Sequence, residues 1–208
     1  MAVVLVLAAV AATSTPAANV KGTTWVDKAG GYAITIPKTW QLIPRTTAGV
    51  NTLVATLNKQ KKGTLAAFYK AILATSAGRA DLTAYRFQAF AWPDSETQPV
   101  PIQVSLGLVK TKTAVTAKGL PAVGAVFANQ LASNKGAKIT VPKIVTLPAG
   151  KAEFIEGTIP IGSGVDNGLE LYLIPHGKTV YELAFQIEAS QLKSATLFTS
   201  IARQFRFV

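Results

Sequence analysis

The sequence feature that most constrains the fold is a repeated alternation of apolar and polar residues in the last third of the chain, residues 146–208. Side chains of a β-strand point to opposite faces in turn, so an alternation with a period of two indicates a strand. Three such segments follow one another here, and short stretches containing Gly, Asn or Pro separate them. This arrangement predicts an antiparallel meander with strands at 151–159, 169–173 and 180–187.

Two turns are predicted within the meander, and a helix after it. The Gly-rich segment 162–168 contains Asn-Gly, which tolerates positive φ and is typical of a hairpin loop. Residues 175–177, Pro-His-Gly, are typical of a tight turn, because proline presets φ at the second position. Ser190 is a predicted N-cap. The helix that follows has an apolar face formed by Ala195, Phe198, Ile201 and Ala202, and a last strand is predicted at 204–208.

The first two thirds of the chain alternate between strand and helix patterns. Helices are expected at 63–76 and 120–133, where apolar residues recur at a helical spacing, and Gly78 is a predicted stop for the first of them. Strands are predicted at 24–27, 31–36, 52–57, 82–92, 101–112 and 138–147, and a polar loop at 93–101. Helices interleaved with antiparallel strands predict an α+β sandwich.

The chain begins with an uncharged apolar run, MAVVLVLAAVAA. This run is too short to span a bilayer, which takes roughly 20 apolar residues. It is typical of the apolar region of a secretory signal, with small residues suited to cleavage at Ala11, Ala12, Ala17 and Ala18; a buried N-terminal helix is the alternative. We expect residues 1–20 to be a signal peptide and linker, residues 21–208 to be a single domain, and the mature protein to be secreted or otherwise extracytoplasmic.

Composition excludes several kinds of chemistry. The chain has no cysteine, which rules out disulfides, thiolate nucleophiles and zinc–thiolate sites. Its single histidine, His176, lies in the predicted turn and is interpreted as a turn residue, because a catalytic histidine needs a nucleophile and an orienting acid. Glu153 and Glu156 are predicted on opposite faces of one strand, so they cannot work as a paired acid and base. The sequence predicts no catalytic residue and no cofactor.

Side chains with oxygen ligands near the second strand of the meander do not predict a calcium site. Asp166, Asn167 and Glu170 lack the spacing of a calcium-binding loop. They are expected to be solvated, and no metal site is predicted. The glycines of 162–168 do not predict a nucleotide loop, because a strand follows where phosphate binding needs a helix N-terminus.

The net charge is +11, and its distribution is uneven. The tracts between Asp27 and Asp81 and between Glu96 and Glu153 contain basic residues and no acid. A basic surface favours anionic partners, although a role in solubility alone is the alternative. The densest cluster is Lys59, Lys61 and Lys62, which we interpret as a candidate anion contact or as a solvated turn.

One aromatic residue is a further candidate contact. Trp92 closes a predicted strand and precedes a loop, a position from which tryptophan can anchor a partner; a lid over the core is the alternative. The basic cluster has no interleaved aromatic residues, and the chain carries an export signal, so a nucleic-acid partner is not expected.

Several short motifs resemble a known superfamily. The pattern G-Y-x-I-x-I-P-x-x-W covers residues 31–40, L-P-A-G-K-A covers 147–152, and F-R-F covers 205–207. In this order, with helix–strand units between them, they resemble the PsbP-like superfamily, in particular its secreted bacterial LpqN-type proteins. The resemblance implies an α/β/α sandwich around an antiparallel sheet. It also implies a non-enzymatic role, binding protein or lipidic partners outside the cytoplasm.

The functional hypothesis combines these observations. We expect an exported, non-catalytic binding or accessory protein of the cell envelope, monomeric, whose partner is an envelope protein or a lipidic or anionic ligand. No integral membrane segment is expected once the leader is removed. The alternative is a secreted hydrolase with an unconventional active site.

Overall fold

The structure, a computed structural model, describes residues 22–91, 100–162, 164–194 and 196–208. In these residues the chain has an α+β fold, in which an eight-stranded antiparallel sheet carries four helices on one face. A three-stranded sheet and a fifth helix cover the other face. The predicted fold class, a sandwich around a central antiparallel sheet, is confirmed.

The elements follow the chain in this order. The first part contains β1 (Gly22–Asp27), β2 (Tyr32–Pro37), β3 (Gln41–Leu42), α1 (Thr47–Lys59), α2 (Gly63–Ala74), α3 (Ser76–Ala84), β4 (Phe87–Ala91) and β5 (Ile102–Lys110). The second part contains α4 (Leu120–Ala132), β6 (Lys138–Ile139), β7 (Lys143–Leu147), β8 (Gly150–Gly162), β9 (Val165–His176), β10 (Thr179–Glu188), α5 (Thr196–Ala202) and β11 (Arg206–Phe207). The large sheet has the order β3-β4-β5-β10-β9-β8-β6, with β7 also paired to β8; the small sheet has the order β1-β2-β11.

The predicted meander forms the centre of the large sheet. Strands β8, β9 and β10 pair antiparallel, with Ile155 opposite Leu171 and Leu171 opposite Ala184. Alternate residues of these strands supply two separate apolar clusters, one on each face of the sheet. The central strands are therefore buried on both faces, whereas a period-two alternation is typical of burial on one face, and the sheet requires a cover on each side.

Both turns are shorter in the structure than predicted. The first hairpin turns at Gly162 and Gly164, which have φ values of 95° and 73°, so Asn167 and Gly168 lie inside β9. The backbone of Ala189 approaches Gly168 closely, since a Cβ placed on this glycine would lie 3.1 Å from the Cα of Ala189. The second turn is at Gly177, with φ of 57°; Pro175 lies within β9 opposite Val180.

One face of the large sheet packs against the small sheet and α5. The β1–β2 hairpin forms as predicted, and β11 pairs with β2 on its other side. Phe198 and Ile201 of α5 and Phe205 are buried against this face together with Tyr32 and Phe185. The small sheet and the C-terminal residues therefore act as one cover over the meander.

The opposite face is covered in two places. Helix α4 packs on β8 and β9, where Ala128 contacts the cluster of Ile155 and Leu171. Helices α1, α2 and α3 pack near β4, where Leu57, Tyr69 and neighbours surround Phe90. None of these helices, within the described residues, is long and apolar enough to cross a bilayer.

The prediction of a strand at 52–57 is wrong, because this segment lies within α1. Val50, Leu53 and Leu57 are buried on one side of the helix, and the Thr46 Oγ1 accepts a hydrogen bond from Gly49 N at 3.1 Å. The segment is short enough that its apolar spacing fits either period. The N-cap at Thr46 and packing against α2 decide for the helix.

The predicted stop at Gly78 and the long strand at 82–92 are also wrong. Gly78 N donates to Thr75 Oγ1 at 3.0 Å, so this glycine lies in the first turn of α3, whose N-cap is Thr75. Helix α3 takes the first residues of the predicted strand, and β4 is correspondingly short. The helix at 63–76 and the strand at 101–112 are confirmed as α2 and β5, and the helix at 120–133 as α4.

Two further elements differ from prediction in detail. The strand predicted at 138–147 is divided into β6 and β7, both paired with β8, and Pro142, which lacks an N–H, lies between them. Ser190 is not an N-cap: its Oγ donates to Glu188 Oε1 at 2.8 Å, and residues Ala189–Ser194 form a 3-10 helix before α5. Ala195 lies outside the described residues.

Glu153 is buried beneath α4, although a strand carboxylate is ordinarily solvated. Its side chain is 2% exposed, and its Oε2 has no hydrogen-bond partner in the described residues. Burial raises the pKa of this carboxyl. A Cβ placed on Gly124 of α4 would lie 2.8 Å from the Glu153 Cδ, so the close approach of α4 to the sheet requires glycine there.

Substitution of Gly124 by alanine is expected to destabilise the protein when residue 153 is glutamate and to stabilise it when residue 153 is alanine. In the natural chain, overpacking against Glu153 outweighs the helix propensity gained, and the free energy of unfolding falls by about 1–2 kcal/mol. In a Glu153→Ala background the clash is absent, and the same substitution stabilises by about 1 kcal/mol. Urea unfolding of the four proteins measures this coupling. An equal loss in both backgrounds would contradict the packing described.

Candidate functional site

A cleft of about 380 Å³ lies where the small sheet meets the edge of the large sheet. Its walls come from β1, from the segment between β3 and α1, and from the start of β4. The lining residues that matter here are Trp25, Leu42, Pro44, Arg45, Arg86 and Phe87. We call this the Trp25 cleft. Its size is within the range of small-molecule sites, which are mostly apolar with a few polar groups.

Trp25 is the dominant surface of the cleft. It is 41% exposed, and its ring centroid lies 6.1 Å from that of Phe87, which is buried in the core. Leu42 is also exposed beside it. A partly exposed tryptophan held against a fixed aromatic ring offers a large apolar contact area at low entropic cost.

Arg86 holds the cleft wall in place and is not available as a free cation. Its guanidinium forms a bidentate ion pair with Asp27, with Nε and Nη2 2.7–2.9 Å from the carboxylate oxygens. Gly30 N also donates to Asp27 at 2.8 Å. Burial raises the pKa of Asp27, but the Gly30 N–H and Arg86 outweigh it, so the pKa lies below its usual value. This pair joins β1 to the start of β4.

Arg45 is the exposed cation at the rim of the Trp25 cleft. Its Nη2 donates to the carbonyl oxygen of Thr83 at 3.0 Å, which fixes the side chain without neutralising its charge. The Arg86–Asp27 pair is the single ion pair found among the described residues, so Arg45 has no carboxylate partner there. The cleft therefore combines an apolar floor with an uncompensated positive charge at its edge.

The predicted lysine cluster lies away from this cleft. Lys59 ends α1, Lys61 lies in the turn with φ of 57°, and Lys62 precedes α2. Arg45 precedes the opposite end of α1. Since an α-helix rises about 1.5 Å per residue, the cluster lies about 20 Å from the cleft. Trp92, the other predicted contact, lies outside the described residues.

His176 is exposed at the end of β9 and stacks on Phe207. The ring centroids lie 4.1 Å apart with an interplanar angle of 25°. Within the described residues no side chain forms a hydrogen bond or ion pair with the imidazole. A nucleophile and an orienting acid, which a hydrolytic triad needs, do not converge on this histidine.

A second pocket, of about 200 Å³, lies between β7, β8 and α5. Lys143, Thr146, Tyr172, Thr199 and Arg203 supply its polar lining, above a floor that includes Phe154. We call this the Tyr172 pocket. Its polar groups come from β7, from β9 and from α5 with the residue just after it, which are distant in sequence.

Glu170 lies directly behind the Tyr172 pocket. The Tyr172 hydroxyl donates to Glu170 Oε2 at 3.1 Å and lies 3.3 Å from Thr199 Oγ1. Glu170 is 6% exposed, and burial raises its pKa to about 7. The expectation of solvated groups at 166–170 is therefore wrong for Glu170, and also for Asn167, which is buried. Alternation in β9 places Glu170 on the face that α5 covers.

A third cleft, of about 470 Å³, runs beside α4 and has a carboxylate in its floor. Glu182 lines it together with Phe127, Gln130 and Leu131. Burial raises the pKa of Glu182. When ionised, this carboxylate repels anions, so the cleft does not suit an anionic ligand.

Sequence reasoning did not single out Trp25, Arg45 or Tyr172. The sequence does place Trp25 in the predicted strand 24–27, and from this position an aromatic side chain on one face of the first hairpin could have been predicted. That this face lies beside Phe87 and Arg45 follows only from the pairing of the two sheets.

Comparisons with known proteins find similarity in structure and not in sequence. No protein-family model matches the sequence, and no curated protein matches it. The solution structure of cyanobacterial PsbP (CyanoP) from Synechocystis sp. PCC 6803 aligns over 95% of this chain and 99% of its own, with a TM-score of 0.54 and 10% identity.

Two crystal structures also align. A protein from Bacteroides thetaiotaomicron VPI-5482 aligns over 90% of this chain and 48% of its own, with a TM-score of 0.51 and 10% identity. LpqN of Mycobacterium tuberculosis, described as involved in cell envelope biogenesis, aligns over 90% of this chain and 86% of its own, with a TM-score of 0.49 and 14% identity. The expected structural resemblance is confirmed, and this chain has the PsbP-like α+β fold.

Proposed function

We propose that the protein is an exported, non-catalytic binding or accessory protein of the cell envelope, and that it binds a lipid with an anionic headgroup. The observation that carries the proposal is the Trp25 cleft, where exposed Trp25 and Leu42 adjoin the uncompensated Arg45. An apolar surface beside a cation matches an amphipathic anion. The net charge of +11 attracts the same class of partner at longer range.

Export and domain organisation belong to the same proposal. Residues 1–20 are proposed as a signal peptide and linker, and residues 21–208 as the mature domain; the leader lies outside the described residues. The described portion begins at Gly22 with β1, the strand that carries Trp25.

The lysine cluster is proposed as a separate, electrostatic contact. Lys59, Lys61 and Lys62 are too far from the Trp25 cleft to touch the same headgroup, yet they extend the positive surface. Exposed charges of this kind raise association rates and lose effect as salt is added. Contact energy then comes from Trp25, and in this proposal Trp92 is a further candidate contact.

Binding to vesicles of phosphatidylglycerol or phosphatidylcholine tests the proposal. The protein is expected to bind the anionic vesicles more tightly, and Trp25→Ala to weaken this binding about tenfold or more. Arg45→Met is expected to weaken it less. The matched controls are Val26→Ala, an exposed neighbour on β1 that does not line the cleft, and Arg79→Met, an exposed arginine of α3.

The lysine contact is measured in the same assay. Replacing Lys59, Lys61 and Lys62 together by glutamate is expected to slow association at low salt and to have little effect at moderate salt. Equal binding to neutral and anionic vesicles would refute the anionic headgroup. An effect of Val26→Ala as large as that of Trp25→Ala would refute the cleft.

The hydrolase alternative has weaker support. Its remaining candidate, His176, stacks on Phe207 and has no polar partner among the described side chains. Turnover of ester or glycoside substrates that is lost in His176→Ala would restore this alternative.

A further inference from the structure

The Tyr172 pocket brings together two cations from different parts of the chain. Lys143 of β7 and Arg203, which follows α5, both line it, and neither forms an ion pair within the described residues. The Lys143 Nζ lies 4.9 Å from the ring centroid of Phe154, an arrangement that positions the ammonium without neutralising it, and the carboxyl that interacts with its charge is the buried Glu170. Two converging positive charges in a concave site favour an anion.

Hydroxyl groups surround the same space. Thr146 of β7 and Thr199 of α5 line the pocket, and Thr199 lies 3.3 Å from the Tyr172 hydroxyl. Hydroxyls, an ammonium and a guanidinium are the donors that recognise phosphate oxygens, since charge-assisted hydrogen bonds to phosphate are the strong ones. The apolar floor at Phe154 excludes water from one side and strengthens these interactions.

We propose that the Tyr172 pocket is a second binding site, specific for a phosphate group, in which Lys143 and Arg203 balance its charge and Thr146 and Thr199 donate hydrogen bonds. The pocket volume of about 200 Å³ holds a phosphate and a short ester substituent. It is smaller than typical sites for drug-sized molecules, which begin at about 300 Å³. This site is independent of the Trp25 cleft, with which it shares no lining residue.

The proton on Glu170 is coupled to this site. When Glu170 is ionised, the Tyr172 hydroxyl is committed as a donor to it, and the carboxylate opposes an incoming anion. When Glu170 is protonated, the negative charge is gone and the hydroxyl can donate to the ligand. Burial raises the pKa of Glu170 to about 7, so the change occurs near neutral pH.

The charged groups that face Glu170 shift its pKa in opposite directions. Glu156 of β8 lies opposite it and raises its pKa, whereas Lys143 of β7 lowers it. Its partner on β10 is the uncharged Phe185. Phosphate binding is therefore expected to be tighter at about pH 6 than at about pH 8, even though phosphate itself carries more charge at the higher pH.

Titration calorimetry of the full chain tests the site with three probes: inorganic phosphate, glycerol 3-phosphate, and vesicles of phosphatidic acid. Lys143→Met and Arg203→Met are each expected to raise the Kd about tenfold. The matched control is Lys138→Met, an exposed lysine on β6 that does not line the pocket. Binding of the free phosphates identifies a soluble ligand. Because the Trp25 cleft is itself expected to bind anionic vesicles, binding of the vesicles alone identifies a lipid headgroup in this pocket only where Lys143→Met or Arg203→Met weakens it.

Glu170→Gln tests the coupling through the pH dependence of phosphate binding, which a purely structural role of Glu170 would not change. This variant keeps an acceptor for Tyr172 but cannot ionise, so the affinity at about pH 8 is expected to rise to that at about pH 6. Urea unfolding confirms that each variant is folded. No saturable binding of any probe, or equal losses in Lys138→Met and Lys143→Met, would overturn the site. An unchanged pH profile in Glu170→Gln would overturn the coupling.

Discussion

Replacement of Phe205 by alanine is expected to lower the free energy of unfolding by about 3–5 kcal/mol, the usual cost of removing a buried phenylalanine. Phe205 is 0% exposed, although it is the fourth residue from the end of the sequence. Its ring stacks on Tyr32 of β2 at 5.9 Å and lies 5.6 Å from Tyr181 of β10. It therefore joins the small sheet to the large one, and its loss leaves a cavity between them.

The matched control is Phe207→Ala, two residues further on. Phe207 is only partly buried and contacts His176 and Tyr181 from the surface side. Its removal is expected to cost about 1–2 kcal/mol, because less apolar area leaves water. Urea unfolding followed by circular dichroism measures both. Equal effects would show that the last residues do not close the core as described.

Stability is expected to fall as the pH rises from about 5 to about 8, by about 3 kcal/mol from Glu170 alone. Burial raises the pKa of Glu170 to about 7, from an ordinary value of 4.5. Between these values the folded protein holds a proton that the unfolded chain has released. Raising the pH therefore favours unfolding throughout this window, and the loss is complete above the folded pKa.

Other carboxyls shape the same curve. Burial raises the pKa of Glu153 and of Glu182, so both add to the loss of stability above about pH 4.5. Asp27 acts in the opposite sense. Its pKa lies below the usual value, so its contribution is present above about pH 4 and is lost as the pH falls through its folded pKa. The stability maximum is therefore expected in mildly acidic solution.

Glu170→Gln isolates the main contribution. The amide can still accept from Tyr172 but does not ionise, so the variant is expected to be more stable than the natural chain at about pH 8, by about 2–3 kcal/mol. The stabilities of the two proteins should converge near pH 5, which is close to the pKa of Glu170 in the unfolded chain. Urea midpoints across this range measure the difference. The same slope in both proteins would show that Glu170 is not the group responsible.

The sequence and the structure agree where a pattern is local and long. The meander of β8, β9 and β10 follows from alternation over three consecutive segments, because the strand period is set by backbone geometry alone. The β1–β2 hairpin and helices α2 and α4 follow in the same way. Sequence and structure disagree at 52–57. The apolar spacing of these six residues fits both a strand and a helix, and only the Thr46 cap and packing on α2 favour the helix.

The candidate sites were not predictable by the same means. Trp25, Arg45 and Phe87 are far apart in sequence, and they meet because the small sheet packs on the edge of the large one. The lysine cluster at 59–62 could be identified from the sequence as a run of charge, but such a run does not predict which concave surface lies near it.

Local sequence and composition are enough to predict the alternation of strands and helices, the absence of cysteine chemistry and the positive charge, since each is a property of neighbouring residues or of composition. Tertiary structure alone decided that Glu170 is buried, that α4 covers Glu153, and that Lys143 and Arg203 share a pocket. The physical reason is that alternation assigns a side chain to a face of its strand. What covers that face, and hence its solvation and pKa, depends on elements that pack there from elsewhere in the chain.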